Sequence, residues 1–409
     1  MIRDREIGAR ADEWGLRADV VEKDYLLGWV LWGIGSDPVL GDGWVFKGGT
    51  CLKKCYLETF RFSEDLDFTV LPSGISSEEH VLAALGNMLR RVQGESGIDF
   101  SVREPRLRRR PNDSWEGRIY YKGPRGSPSP ASVRIDLTVR EAVIRPPAIR
   151  PIQHLYPDGL PAPATVRCYA LEEVFAEKLR AMGERGRPRD LYDIVFLLGH
   201  PGLARHPQLV YETLVAKCES KGVQIPTLVS LQEAVHRAEL ESEWENMLRH
   251  QLPVLAPLEH YWDQLPELFA WLTSTKPPPL LASVSSAAEE QVWEPSPASW
   301  TWGAGPRLGP VRFAGANRLL VDLGYQGSVR RIEPYSLRTT RDGSLLLYGI
   351  RVDNRQLRAY RVDRIESIAV TTEPFRPRFR VEFASTGDMY APATQTRTRT
   401  MFRSVADKP

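Results

Sequence analysis

The segment from Phe46 to Val70, FKGGTCLKKCYLETFRFSEDLDFTV, decides the fold. Val45 and Phe46 are apolar and lead into Gly48-Gly49-Thr50, where glycine lets the backbone turn sharply and come close to a ligand. Cys51 to Tyr56 can form one short helix. Asp65 and Asp67 then stand two apart, with Leu66 and Phe68 alternating against them. A strand is expected there, carrying both carboxylates on one face and apolar residues on the other. Adjacent carboxylates repel unless a cation neutralises them. Hard oxygen ligands of this kind suit Mg²⁺, which usually binds substrate phosphates as well. A lone D-x-D is most often a solvated surface or turn feature. Joined to a glycine turn one helix upstream, it points to nucleotidyl transfer, in which turn amides meet phosphate and the acids hold metal.

KGGT followed by RFSEDLDF resembles the first motif of the AbiEii-type nucleotidyltransferase toxins, a branch of the polymerase-β-like nucleotidyltransferase superfamily. The resemblance implies an α+β nucleotidyltransferase fold, a small mixed sheet flanked by helices. It implies a Mg²⁺-dependent enzyme with a two-metal site, moving NMP from an NTP to an RNA acceptor such as a tRNA 3′ end. A cognate antitoxin, often a winged-helix repressor, completes a toxin–antitoxin or phage-defence system. On this basis Lys47, Gly48, Gly49, Thr50 and Ser63 are expected to bind nucleotide, and Asp65 and Asp67 to hold metal. Ser63 also offers a hydroxyl for inhibitory modification, although a simple turn role competes.

Ser132–Val139, SVRIDLTV, alternates as a strand with Asp136 opposite its apolar face. In the superfamily a third carboxylate on a neighbouring strand completes the metal site, and Asp136 stands in such a strand. Arg134 and Thr138 share its face, so an ordinary salt bridge competes. Leu171–Met182 is an amphipathic helix, and the lysine of its EKLRA string, Lys178, corresponds to the family's triphosphate-binding lysine. In RGRPRDLYDIVFLL, Asp190 corresponds to a catalytic acid, with Asp193 supporting it or bonding Arg189. Asp190 can equally cap a helix beginning at Leu191. Which of Asp136, Asp190 and Asp193 is the third acid stays open.

A net charge of +2 does not by itself announce nucleic acid, but its distribution matters. SVREPRLRRR, a turn at Pro111-Asn112-Asp113, and WEGRIYYKG read as a β-hairpin. Its basic rim includes Arg106, Arg108, Arg109, Arg110 and Arg118, interleaved with Trp115, Tyr120 and Tyr121. Cations beside stacking platforms suit single-stranded RNA, while a charged edge that deters strand aggregation is the plainer reading. Cys51, Cys55, Cys168 and Cys218 show no zinc spacing, and the histidines form no cluster; packed thiols in a reducing cytoplasm are expected. No run is long and apolar enough to span a membrane. Val20–Ile34 is expected as a packing helix capped by Asp19, and Glu78–Val92 as a second amphipathic helix.

The transferase domain is expected over 1–273, ending in helices whose Trp244, Trp262 and Trp271 enter the core. A linker is expected over 274–307, where Trp293, Trp300 and Trp302 would dock on a neighbour. Residues 308–387 read as short strands of a small SH3-like barrel, and 388–409 as a flexible tail. RRIEPY and RAYRVDRI in that region resemble the WYL domain through Arg331, Pro334, Tyr335, Arg358, Tyr360, Arg361, Asp363, Arg364 and Ile365. The resemblance implies a nucleic-acid or nucleotide ligand, with Arg358 and Arg364 as its anion contacts. Leu345-Leu346-Leu347 replaces the signature that names that domain. Two other functions remain open: a ligand-sensing regulator with an inactive transferase fold, and a transferase acting on a small molecule.

Overall fold

A computed structural model describes residues 1–57, 61–110, 114–198, 200–232, 234–275, 281–293 and 308–383. Seven strands form the first sheet: β1 (Trp44–Lys47), β2 (Asp65–Val70), β3 (Arg106–Arg109), β4 (Trp115–Tyr121), β5 (Ala131–Val139), β6 (Ala148–Pro151) and β7 (Thr165–Cys168). Their order is β3-β4-β5-β2-β1-β7-β6. The sheet is mixed: β2 runs parallel to β5 and β1 parallel to β7, while the other neighbours are antiparallel. Alternation explains the central strands. Leu66 and Phe68 of β2 and Val133, Ile135 and Leu137 of β5 are buried, whereas Asp65, Asp67, Arg134 and Asp136 are half-buried on the other face.

The apolar face lies on the helix Ala18–Gly35, which is buried nearly all round and so belongs inside rather than at a surface. Its N-cap is Arg17; Asp19 lies in the first turn and pairs with Arg17 at 2.7 Å, so the expected Asp19 cap is not formed. Glu78–Ser96 packs beside it and stops at Gly97, whose φ of 72° suits a left-handed C-cap. Beyond β7 the chain is helical: Leu171–Arg185, Pro188–Leu198, Pro207–Lys221, Ala234–Leu248 and Leu265–Leu272 are its longer pieces. Trp244, Trp262 and Trp271 are buried there.

The C-terminal region departs from the expected run of strands. Leu308–Ala316 is a helix. It covers a second sheet built from β8 (Gln291–Val292), β9 (Leu319–Tyr325), β10 (Ser328–Thr339), β11 (Leu345–Arg351), β12 (Leu357–Arg361) and β13 (Ile365–Pro374). The main path β12-β11-β10-β9-β13 has two unpaired ends among the described residues, so this sheet is open and not the closed barrel expected. The helix packs against β9, β10 and β13, where side chains of a closed barrel would otherwise meet one another. Part of the expected linker is also structured: β8 pairs with β10, and Trp293 lies half-buried under the Arg312 guanidinium, 5.5 Å from its ring. Trp300, Trp302, the hairpin turn at Pro111-Asn112-Asp113 and the tail lie outside the described residues. The core is continuous across the two sheets, and Tyr192 Oη donates to Asn317 Oδ1 at 2.6 Å between them.

Behind the glycine turn, Lys54 Nζ meets Asp24 Oδ2 at 2.7 Å, with side chains 2% and 5% exposed. Tyr156 Oη also donates to that carboxylate at 2.9 Å. Removing one partner strands a buried charge. Lys54→Met is expected to cost about 3–5 kcal/mol in urea unfolding. Adding Asp24→Leu should recover most of that loss. An additive double variant would show that the pair is not coupled.

Candidate active site

The turn after β1 is shaped by contact. Gly48 has φ +81°, and a Cβ there would stand 2.4 Å from Asp67 Oδ2; a Cβ on Gly49 would stand 2.6 Å from Arg61 Nη2 and 3.2 Å from Ser63 Oγ. Both glycines are therefore required by neighbours within the chain, before any ligand is considered. Residues 48–51 turn helically and continue into a π-helical turn, Leu52–Tyr56, a local widening common near functional sites. Thr50 is fully buried, and its hydroxyl donates to the Asp65 carbonyl. That hydroxyl fastens the turn to β2.

Strand register brings the acids together. Asp67 lies opposite Asp136 of β5 on one side and opposite Lys47 of β1 on the other; Asp65 lies opposite Arg134. Burial pushes the Asp67 carboxyl up to about 6; Lys47 opposes this, while Asp136 and Asp65 add to it. Asp65 is also raised, again by burial, against the pull of Arg134 and Arg189. Asp136 is already paired, with Arg134 Nη2 at 2.9 Å and Arg110 Nη2 at 3.8 Å. The competing salt bridge is thus formed, along β5 directly beside the acid pair of β2.

Two rows of register partners cross this face. Arg106, Arg118, Arg134 and Asp65 form one; Arg108, Glu116, Asp136, Asp67 and Lys47 form the next. The basic hairpin and the carboxylates therefore share one sheet face, neighbouring strands being about 4.8 Å apart. Arg106, Arg108, Arg109 and Arg118 are exposed, while Arg110 pairs with Glu116 at 2.7 Å. The hairpin aromatics are not open platforms. Tyr121 is buried, Trp115 Nε1 donates to the Ser76 carbonyl at 2.9 Å, and the Arg103 guanidinium covers Tyr120 at 4.4 Å.

A second charged layer lies behind the turn. Lys178 Nζ meets Asp193 Oδ2 at 2.9 Å and Asp190 Oδ1 at 3.3 Å. Arg61, 2% exposed, holds Asp193 in a two-pronged pair through Nε at 2.7 Å and Nη2 at 2.8 Å. Arg185 Nε donates to Asp190 at 2.9 Å. Burial alone would raise Asp190, but Lys178 and Arg185 hold it below the ordinary carboxylate range. The helix starts at Pro188, which places Asp190 in the first turn rather than at the N-cap. Asp193 bonds Arg61 and Lys178; Arg189 reaches toward the Met247 carbonyl instead, at 3.5 Å. Lys47 is buried, with Glu141 at 2.7 Å and Glu177 at 3.5 Å, so its charge is already answered.

The sequence reading missed Arg61, Arg185, Glu141 and Glu177. Arg61 had a visible signal in its place at the start of RFSEDLDF; the others answer partners far away in sequence. Ser63 lies half-buried, its Oγ 3.2 Å from where a Cβ on Gly49 would stand. Arg358 and Arg364 are exposed at the β12 side of the second sheet, with Arg358 bonded to Gln356. Among the described residues no contact joins them.

The family described as "Nucleotidyl transferase AbiEii toxin, Type IV TA system" matches residues 29–271, more than half of the chain. Among solved structures, MenT4, a nucleotidyltransferase toxin from Mycobacterium tuberculosis, is similar at 22% identity and a TM-score of 0.44. That likeness covers 66% of this chain and 88% of that one. No curated protein matches. With the glycine turn, the paired aspartates and the lysine helix all inside the matched span, this chain belongs to the AbiEii family of nucleotidyltransferase toxins.

Proposed function

We propose that this nucleotidyltransferase is Mg²⁺-dependent and transfers NMP from an NTP to the 3′ end of an RNA, with tRNA as the first candidate acceptor. The observation that carries this reading is the pair of register rows that sets exposed arginines on the same sheet face as Asp65 and Asp67. An acceptor that is itself a polyanion matches such an approach, whereas a small molecule needs no cationic row. Asp65 and Asp67 would hold the divalent ion. Burial raises the proton affinity of both, and the neighbouring carboxylates add to it; a hard cation would relieve that cost. When bound, that ion would neutralise phosphate oxygens and stabilise charge at the leaving pyrophosphate.

The chain's own residues supply the rest. Gly48 lies against Asp67, so a triphosphate held by the turn amides would stand beside the acids. Lys178, whose field already reaches Asp67, would meet the phosphates by loosening one of its two aspartate contacts. Asp136 would accept the proton of the attacking RNA hydroxyl once Arg134 turns away from it. The hydroxyl oxygen then bonds the α-phosphorus as pyrophosphate departs.

The family's toxin–antitoxin description implies a cognate antitoxin. A phage-defence role and a cytoplasmic location follow as parts of the proposal. No helix among the described residues is long and apolar enough to cross a membrane. The second sheet is proposed as a WYL-like accessory module in which Arg358 and Arg364 contact an anionic ligand.

Incubation with Mg²⁺, each labelled NTP and total tRNA should move label into RNA with the wild type and not with Asp65→Ala or Asp67→Ala. Label reaching only a small molecule would replace the acceptor, and no transfer at all would remove the catalytic reading. Arg106→Ala combined with Arg118→Ala should weaken tRNA binding and flatten its dependence on log salt by about 1–2. An unchanged slope would take the hairpin out of the RNA path.

Asp67 binds a proton more readily folded than unfolded, so ionising it weakens the fold as pH rises through about 6. Asp67→Asn should therefore stabilise the metal-free protein by about 2 kcal/mol near pH 8. The gain should fade below about pH 4, where both states are protonated. Saturating Mg²⁺ should cancel it in thermal melts. A variant no more stable than wild type at pH 8 would show that Asp67 carries no such burden.

A further inference from the structure

Cys51, Cys55 and Cys168 come from two distant segments, yet their sulfurs all lie within 4.8 Å of one another. Cys51 closes the turn that begins at Gly48, and Cys55 sits in the π-helical turn behind it. Cys168 ends β7 directly opposite Phe46 of β1. All three are buried to 1% exposure or less. Spacing alone shows the first two as an i, i+4 pair without a third ligand. The parallel pairing of β1 with β7 delivers it.

Thiols that merely fill a core behave as small apolar groups and have no reason to converge. Here three sulfurs from two distant segments come within 4.8 Å of one another. Bonds of about 2.3 Å to a single tetrahedral ion would leave them about 3.8 Å apart, within a small adjustment of the cluster as it stands. The surroundings also match in charge. Arg150 lies 5.1 Å from the Tyr56 ring centre, and its Nε approaches the Cys55 carbonyl at 3.4 Å. A guanidinium is therefore at hand for the single negative charge that three thiolates around a divalent ion leave over. Tyr56 Oη donates its proton to the Tyr169 carbonyl at 2.7 Å. The same oxygen accepts from Cys168 Sγ at 3.6 Å, so once that thiol proton is lost it stands where it could complete a fourfold set.

We propose that Cys51, Cys55 and Cys168 form a buried thiolate site for a thiophilic d¹⁰ cation, with Zn²⁺ as its first candidate. Binding releases the three thiol protons to solvent and leaves a zinc tris-thiolate beside Arg150. Because the sulfurs are enclosed, the ion enters as the chain folds. Soft sulfur ligands separate this site from the hard carboxylates in front of the turn, so Mg²⁺ does not compete for it. Its structural effect is to staple β7 to the segment that carries Gly48, Gly49 and Thr50. The inference rests on sulfur geometry and is independent of the acceptor and of the transferase reading.

The test measures metal in the full-length chain, expressed with added zinc and purified in reductant without chelator, by plasma mass spectrometry. About one equivalent is expected in the wild type, as for one closed site. Cys51→Ser and Cys168→Ser should each lose it, while Cys218→Ser, which alters a buried thiol outside the cluster, should keep it. Should the serine variants fail to fold, wild type grown with Co²⁺ in place of zinc should show thiolate-to-cobalt charge-transfer absorption. Wild type without bound zinc and without that absorption overturns the proposal. So does zinc retained in a folded Cys168→Ser variant.

Discussion

The approach of Gly48 to the Asp67 carboxylate is the constraint from which the site follows. With φ at +81° and the Asp67 oxygen where a Cβ would stand, the turn after β1 has no room for a side chain. A strand end, a helical turn and a carboxylate are thereby held in one small volume. Thr50 secures the other side by donating to the Asp65 carbonyl. The turn and β2 thus behave as one unit, and the parallel pairing of β2 with β5 extends that unit to Asp136. An alanine at position 48 would do more than strain the backbone. It would displace the acid whose placement the turn exists to set.

Charge behind this unit is arranged for position more than for stability. Lys217, fully buried, meets Glu173 at 2.8 Å, and Glu141 and Glu177 lie between it and Lys47. Arg61, Lys178, Arg185, Asp190 and Asp193 form a second such group. Buried ion pairs seldom exceed well-packed apolar residues in net stabilisation, because desolvation offsets their attraction. Each of these groups instead joins helices from after β7 to the first hundred residues. Arg61 and Asp193 lie 132 positions apart. The front of the site shows the opposite imbalance, with Asp65, Asp67 and Asp136 clustered on one face and Asp67 raised by burial and by its neighbours. Stability is given up where a cation would act and geometry is held where it would not.

What could be read in the sequence was whatever depends on local period. The alternation of Asp65, Leu66, Asp67 and Phe68 placed the carboxylates on one strand face, and the same alternation placed Asp136. The amphipathic run from Leu171 showed the helix that carries Lys178. Features set by distant partners were not legible. Nothing near Lys47 announces Glu141 and Glu177, so the ion pairs that hold this lysine beside the glycine turn could not be read. The competing N-cap reading of Asp190 arose because Leu191 begins the apolar run, but Pro188 is itself a favourable first helical residue and moves the start forward. Leu308–Ala316, LGPVRFAGA, contains two glycines and a proline, poor helix formers that hid a helix sustained by packing on the second sheet. Cys168 could join Cys51 and Cys55 only through a strand pairing that no spacing rule reports.

The pairing of Arg134 with Asp136 gives the acid face its sense of order. Arg134 is opposite Asp65 in register and bonded to Asp136, so it answers negative charge in the place where a bound cation would answer it. Its side chain is 36% exposed, which leaves it room to turn outward. On the proposed reading, cation and guanidinium are alternatives for the same carboxylates. An arginine released from Asp136 would extend the row formed by Arg118 and Arg106 across the hairpin, adding positive charge to the acceptor path as the metal site fills. Metal loading and attraction of a polyanion then become one electrostatic event, because the same side chain serves both.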